Sequence, residues 1–289
     1  MKYSNRVFRQ ACMMAVLGLG LFLLMVTTAY AGSNDFKLER LCGDNCHSET
    51  AIDDFAVLAR TYGALVAPMH FQPASTIGQE GFEIGVETKL SFATEDASFW
   101  KAINKNNPGD SLVASSDGKY SAPDVFSTIQ VSMRKGLPFS LEVEGVANWL
   151  VDSEIFYIGA GLRWAITEGW WFLPDISVRG HVGTIVGAAQ ISMINVNVDA
   201  AMSYTWGLGG IVSITPYAGY SLLVNVSSSR PLAIYAGDEF KEEVFRQKSQ
   251  YISRGFVGFQ LKAEYFIFDA EGEFGKDVKS LGLKIGAQF

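Results

Sequence analysis

The chain has 289 residues, of which 48% are apolar, 13% are aromatic and 18% are charged. Such a composition is too apolar for a disordered chain. With 23 basic and 30 acidic side chains, the chain also lacks the basic excess of nucleic-acid-binding proteins, so we expect no nucleic acid among its partners. The length suits one large domain or two small ones.

Residues 1–31 have the three parts of a secretory signal peptide. A basic start that includes Arg6 and Arg9 is followed by an apolar run, and the small residues Ala29 and Ala31 mark a cleavage site. A membrane anchor is the alternative, because the apolar run is nearly long enough to span a bilayer. Cleavage after Ala31 leaves 258 residues with 20 basic and 30 acidic side chains, and therefore a formal net charge of −10.

The next segment, 32–79, contains both cysteines of the exported chain, Cys42 and Cys46. Because export places the chain in an oxidising compartment, we expect one small disulfide loop between them. The motif that ends in Cys46-His47 is one residue longer than a c-type haem attachment site, C-x-x-C-H. No second Cys/His pair is present to complete a zinc site, so we expect neither a cofactor nor a metal.

Residues 50–67 have helical periodicity. Apolar side chains, among them Phe55, Ala59 and Tyr62, recur at three- and four-residue spacing, and Pro68 follows the pattern. The spacing predicts one amphipathic helix before the remainder of the chain.

From residue 80 to the end, apolar and polar residues alternate with the period of β-strands. We predict ten strands, with eight or twelve as alternatives: 81–93, 124–136, 139–151, 155–166, 172–186, 194–206, 210–225, 252–263, 266–274 and 278–289. The ninth strand requires a tight turn hidden between Lys262 and Phe266. Without that turn the count is nine, which conflicts with the even strand number of bacterial single-chain barrels.

Strand length and the connections favour a membrane barrel over a soluble sandwich. The strands have about ten residues or more, as tilted membrane strands need. Two long polar connections, 94–123 and 227–249, alternate with tight turns, as in transmembrane barrels. With both termini on the periplasmic side, aromatic residues fall into two girdles: Phe82, Phe139, Trp164, Trp170, Trp171, Trp206, Tyr265 and Phe289 below, and Phe92, Trp149, Phe156 and Phe274 above.

The last ten residues, Ser280-Leu281-Gly282-Leu283-Lys284-Ile285-Gly286-Ala287-Gln288-Phe289, resemble the closing strand of bacterial outer-membrane β-barrel proteins. The resemblance implies an all-β, antiparallel up-and-down barrel over 80–289 in the bacterial outer membrane. It also implies that Phe289 is a signal for the barrel-assembly machinery, and that outer-membrane lipid surrounds the folded protein. Because a ten-stranded barrel is narrow, we expect the preceding helix on the periplasmic side, with a plug in the lumen as the alternative.

Inward-facing positions of these strands carry charges of both signs. We expect them to form a lumen charge network that consists of Glu83, Glu87, Lys89, Arg134, Glu142, Glu144, Arg163, Arg179, His181, Asp199, Lys262 and Lys284, together with Glu264, Asp269 and Glu271. Paired charges fit a filling that takes the place of an apolar core, and a thin polar pore is the alternative.

For function, the sequence favours a small channel or passive transporter for small polar solutes. The alternative is a closed barrel with a structural or surface-binding role through its extracellular loops. A barrel enzyme ranks last, because His181 has no nucleophile or second acid at a matching spacing, and we expect no catalytic residues.

Overall fold

A computed structural model describes residues 38, 41, 47–93, 99, 125–170, 172–233, 241–242 and 244–289. The expected signal peptide, the Cys42–Cys46 disulfide, Trp171 and most of the 94–123 connection lie outside these described residues.

Helix α1 spans Glu49–Val66, close to its predicted bounds. Ser48 is its N-cap, and the Ser48 hydroxyl accepts a hydrogen bond of 3.2 Å from the amide of Ala51. The helix ends at Val66, and its C-cap Ala67 has extended backbone because Pro68 disfavours helical backbone in the residue that precedes it. Within the described ranges, no helix combines the length and the hydropathy that a membrane crossing requires.

Antiparallel strands follow the helix. They are β1 (Phe82–Ala93), β2 (Phe126–Leu137), β3 (Leu141–Leu150), β4 (Phe156–Thr167), β5 (Asp175–Val186), β6 (Ile191–Ser203), β7 (Trp206–Leu208), β8 (Val212–Ser229), β9 (Leu232–Ala233), β10 (Lys241–Glu242), β11 (Lys248–Ala263), β12 (Phe266–Gly275) and β13 (Val278–Gln288). The short strands β9 and β10 pair with each other in the connection between β8 and β11, and β7 pairs with the first three residues of β8 in the connection from β6.

Ten long strands close the barrel in the order β1-β2-β3-β4-β5-β6-β8-β11-β12-β13, and β13 pairs with β1. The predicted fold class and strand number are confirmed. The hidden turn is also present, because β11 ends at Ala263, β12 begins at Phe266, and Glu264 takes a φ of 52° between them. Glu264 was predicted to face inward; the structure places it exposed in this turn instead.

The barrel wall is apolar outside, and its inward-facing side chains are mostly polar except near the extracellular ends of the strands. Exposed positions include Val86, Ile158, Leu162, Val182, Val198 and Ile285, whereas their neighbours along each strand point inward. Exposed aromatic side chains gather at both ends of the strands: Phe139, Trp164, Trp170, Trp206 and Tyr265 at one end, and Phe92 and Phe274 at the other. A closed ring with an apolar exterior leaves no strand edge unpaired in lipid, which is the condition for spanning a membrane with β-structure.

The connections define the orientation. At the end that holds Phe289, β2 and β3 are joined through 138–140, and β11 and β12 through 264–265. The two longest connections, 94–125 and 230–247, lie at the opposite end. Because outer-membrane barrels have short periplasmic turns and longer extracellular loops, the end with Phe289 is periplasmic.

Helix α1 lies inside the barrel, in its extracellular half, so the prediction of a periplasmic position was wrong. The amides of Asn148, Asn195 and Asn225, each near the extracellular end of its strand, donate hydrogen bonds to the helix backbone. The argument from barrel width failed because the helix carries a glycine where it comes closest to the barrel wall. Gly63 faces Asn225 so closely that a Cβ at 63 would lie 1.9 Å from the Asn225 Nδ2 atom.

Candidate functional site

The barrel wall caps the inner end of helix α1. A helix leaves its last four carbonyl groups without intrahelical partners and carries a partial negative charge at that end. The Lys89 ammonium lies 2.7 Å from the Ala67 carbonyl and 3.4 Å from the Ala64 carbonyl. The helix has no basic residue in its own last turn, so the barrel supplies the cation.

Three asparagines of the barrel wall complete this cap. Asn148 donates to the Val66 carbonyl at 3.0 Å and Asn195 to the Gly63 carbonyl at 3.1 Å. Asn225 donates to the Ala59 carbonyl at 3.2 Å, one turn further out. Each of these amides is buried, and Asn195 and Asn225 are cross-strand neighbours on β6 and β8, whereas Asn148 lies on β3.

Above the cap, the lumen is apolar. Inward-facing side chains near the extracellular ends of the strands form one cluster with the helix residues Phe55, Leu58 and Tyr62. The wall residues of this cluster are Phe126, Val146, Leu150, Tyr157, Ile185, Ile191, Met193, Leu223, Ile252 and Val278. The extracellular half of the barrel therefore has a hydrophobic core of its own, with α1 at its centre.

Below the cap, residues 67–77 run through the charged half of the lumen toward the periplasmic end. We call helix α1 together with 67–77 the plug. Glu271 accepts hydrogen bonds from the amides of His70 and Phe71, at 2.9 and 2.6 Å. Further down, Arg163 donates to the Ser75 carbonyl at 2.9 Å, and Glu142 accepts from the amide of Ile77 at 2.5 Å. The lumen charges thus satisfy backbone groups of the plug that have no secondary-structure partners.

Near the periplasmic end, ion pairs join neighbouring strands. Glu83 pairs with Arg134 and lies 2.7 Å from the Lys284 ammonium, and Glu142 pairs with Arg163 and lies 3.5 Å from Arg134. All five side chains are buried. Buried charges require such partners, because the cost of desolvating an unpaired ion is several kcal/mol.

A second cluster lies midway along the lumen around Arg179. Its guanidinium lies 2.5 Å from Asp199 and 3.2 Å from Glu144, and it also donates to the His70 carbonyl at 3.5 Å. Arg179 and Asp199 are directly opposite in the β5–β6 register. The His70 ring is stacked on the Phe256 ring with centroids 4.5 Å apart, so the plug contributes an aromatic ring to this cluster.

Three further members of the predicted lumen charge network are Glu87, Asp269 and Lys262. Glu87 accepts hydrogen bonds from Gln130 and Ser132 on β2 and lies 3.5 Å from Lys284. Asp269 accepts from Gln260 at 3.0 Å. Lys262 is partly exposed and lines a polar cavity of about 190 Å³ at the periplasmic end, which Arg134, Thr215 and Gln288 also line.

The two histidines of the lumen, His70 and His181, have different neighbours. Tyr157 lies 3.3 Å from the Nδ1 atom of His181. Asp199 lies 3.6 Å from the Nδ1 atom of His70 and is also bound by Arg179. Among the described residues, no group of three or more His, Cys, Asp or Glu side chains is placed to hold a metal ion.

The sequence interpretation missed the plug residues His70 and Phe71 and the glycine that accommodates them. A Cβ on the inward-facing Gly282 would lie 2.2 Å from the Phe71 ring and 2.7 Å from the Met69 sulfur. One signal was available: the end of the helix, Leu65-Val66-Ala67, is apolar on every side, which indicates a helix end buried all round.

No protein-family model matches the chain, and no curated protein matches it. Among solved structures it is similar to the N-terminal β-barrel domain of Pseudomonas aeruginosa OprF, at 16% identity and a TM-score of 0.29 over 73% of this chain and 99% of that one. It is similar to Yersinia pestis Ail, the attachment invasion locus protein, at 14% and 0.28 over 73% and 99%. It is also similar to the translocator domain of the autotransporter NalP from Neisseria meningitidis, at 9% and 0.39 over 82% and 97%. By its own closed ring of strands, apolar exterior and polar interior, the chain is a β-barrel protein of the bacterial outer membrane.

Proposed function

We propose that this protein is a closed outer-membrane barrel, sealed by its own plug, that acts at the cell surface through its extracellular end. The observation that carries the proposal is the occupied lumen. Helix α1 fills the extracellular half and 67–77 continues through the charged half. A solute would have to displace the plug in order to pass.

The contacts of the plug support a permanent rather than a loose fit. The wall provides the helix with three asparagine amides and the Lys89 ammonium. Among the buried charges, Arg179 pairs with Asp199, and Glu271 binds the plug backbone. Each buried hydrogen bond of this kind stabilises by about 1 kcal/mol, and those that involve a charged group stabilise by about 2 kcal/mol. Expulsion of the whole plug would break all of them together and expose the apolar cluster around Phe55.

Conductance across a planar bilayer tests the proposal. We expect the full-length protein to insert without stable open-channel steps. A variant with Asn148→Ala, Asn195→Ala and Asn225→Ala loses three plug contacts and should conduct, whereas Thr184→Ala, a polar deletion on the outer surface of the wall, should not. Stable open steps from the wild-type protein would contradict a sealed barrel.

A channel is the second candidate, and one observation favours it. The polar cavity at the periplasmic end shows that side chains and plug leave unfilled space beside Lys262 and Thr215. For a passive channel this space would have to continue to the cell exterior when the plug moves. Swelling of proteoliposomes in small polar solutes, if it occurred at the same rate as with an established porin, would favour the channel.

A further inference from the structure

The plug has a defined direction along the barrel axis, and its outer end is anchored to extracellular connections. Asp53 lies 3.7 Å from Lys248, the first residue of β11, and the Phe55 ring stacks on Phe245 with centroids 4.6 Å apart. Phe245 lies in the extracellular β8–β11 connection, and Lys248 directly follows this connection. Further along the helix, Arg60 donates to Asp277 in the extracellular β12–β13 turn at 2.8 Å.

A contact that precedes the helix lies at the same end. The amide of Leu38 donates to the Gln190 side chain at 2.5 Å, and Gln190 belongs to the extracellular turn between β5 and β6. Leu38 and Leu41 are both buried in the apolar cluster around α1. The chain is therefore already at the extracellular end before helix α1 begins.

From there the chain descends without reversing. Along the plug, Ala59 contacts Asn225, His70 then contacts Glu271, and Thr76 finally contacts Glu168 of the barrel wall. Glu168 lies in the β4–β5 turn at the periplasmic end, and β1 starts from that end at Phe82. The 18 residues of α1 span roughly 27 Å and the residues after it add an extended run, so the plug is long enough to cross the apolar band of about 25 Å.

We propose that the plug enters the barrel from the cell exterior, so that the first turn of α1 is presented at the cell surface and the chain then runs through the lumen to the periplasm before the first strand begins. Glu49, Thr50 and Asp53 near the start of α1 are exposed there. This inference does not depend on whether the lumen conducts, because it concerns only the direction of the plug.

Cysteine labelling on intact cells tests this topology. In a chain with Cys12, Cys42 and Cys46 replaced by Ser, we would introduce Glu49→Cys or Thr50→Cys at the outer end of the plug, and Gln79→Cys or Glu80→Cys beyond its inner end. All four positions are exposed. Matched references on the barrel are Lys276→Cys in an extracellular turn and Glu264→Cys in a periplasmic turn, which are also exposed.

A membrane-impermeant maleimide should label positions 49 and 50 on intact cells to the same extent as position 276. Positions 79, 80 and 264 should react at least about tenfold less until the outer membrane is permeabilised. Labelling of 49 and 50 only after permeabilisation, with 276 labelled on intact cells, would overturn the proposal, and so would labelling of 264 on intact cells. If the cysteine-free chain assembles poorly, an epitope tag placed before Ser48 and detected by antibody on intact cells gives the same two outcomes. Conductance is not read in either experiment, so failure here is distinguishable from failure of the sealed-barrel proposal.

Discussion

Gly63 of the plug and Asn225 of the barrel wall are in such close contact that a Cβ at position 63 would lie 1.9 Å from the Asn225 Nδ2 atom and 2.8 Å from its Cγ. The same asparagine donates to the Ala59 carbonyl one turn earlier on the helix. A glycine inside a helix costs about 1 kcal/mol relative to alanine. Here the missing side chain lets the helix approach the wall closely enough for the wall to hydrogen-bond its backbone.

Gly63→Leu should therefore loosen the plug. The added side chain must displace Asn225 and break its hydrogen bond, and overpacking of this kind costs about 1–3 kcal/mol. We expect a lower urea midpoint for unfolding in detergent, read by heat-modifiable migration on a gel. Thr50→Leu is the control, since it adds the same side chain at an exposed position of the same helix. Equal midpoints for the two variants would show that the close contact at Gly63 does not matter.

Lys89→Met should weaken the cap at the inner end of the helix. It keeps a side chain of similar length but removes the ammonium that lies 2.7 Å from the Ala67 carbonyl. A hydrogen bond from a charged group contributes about 1.5–3 kcal/mol, and the buried carbonyl is left without this donor. Hydrogen exchange of α1 amides should become roughly tenfold faster or more. Lys279→Met, at an exposed position on β13, makes the same chemical change away from the plug and should leave exchange in α1 unchanged.

Arg179→Met should destabilise the middle of the barrel more than any single plug contact. It leaves Asp199 and Glu144 buried without the cation that lies 2.5 and 3.2 Å from them. Removal of one partner from a buried ion pair costs about 3–5 kcal/mol. The free energy of unfolding in urea should fall by that amount, whereas Arg230→Met, at an exposed position after β8, should change it by less than about 0.5 kcal/mol. A loss below about 1 kcal/mol for Arg179→Met would mean that Arg179 is not needed to compensate these carboxylates.

The strands were predictable because lipid and lumen impose opposite polarity on alternate residues. That alternation located all ten long strands. The turn between Ala263 and Phe266 was required only by the even strand number of bacterial single-chain barrels. The charges followed from the same reasoning. Register places Arg179 opposite Asp199, and strand order places Lys284 on β13 beside Glu83 on β1.

The position of the helix was not predictable from barrel width alone. The diameter of the barrel shows only whether a helix would fit when large side chains lie between it and the wall. The wall instead lines this helix with asparagines, and the helix meets Asn225 with a glycine. The inward-facing apolar residues near the extracellular strand ends, such as Ile185 and Leu223, interrupt the alternation between polar and apolar faces and were the available signal. They require an apolar partner in the lumen, and α1 is the element that provides it.

Deletion of Phe289 should prevent closure of the barrel. Phe82 and Phe289 exchange two backbone hydrogen bonds across the β1–β13 seam, at 3.0 and 2.8 Å, and the Phe289 ring stacks on Tyr265 with centroids 5.8 Å apart. In lipid each unpaired backbone group costs several kcal/mol, so loss of this pair opens the seam at the periplasmic end. Gln288→Ala is the control, because it keeps the backbone of the last strand and changes only a lumen-side polar group that lines the periplasmic cavity. We expect outer-membrane fractions to contain at least about tenfold less folded, heat-modifiable barrel without Phe289 and a nearly wild-type amount with Gln288→Ala. A folded band of wild-type intensity without Phe289 would show that the seam closes without its last pair, and that this residue is not required for assembly.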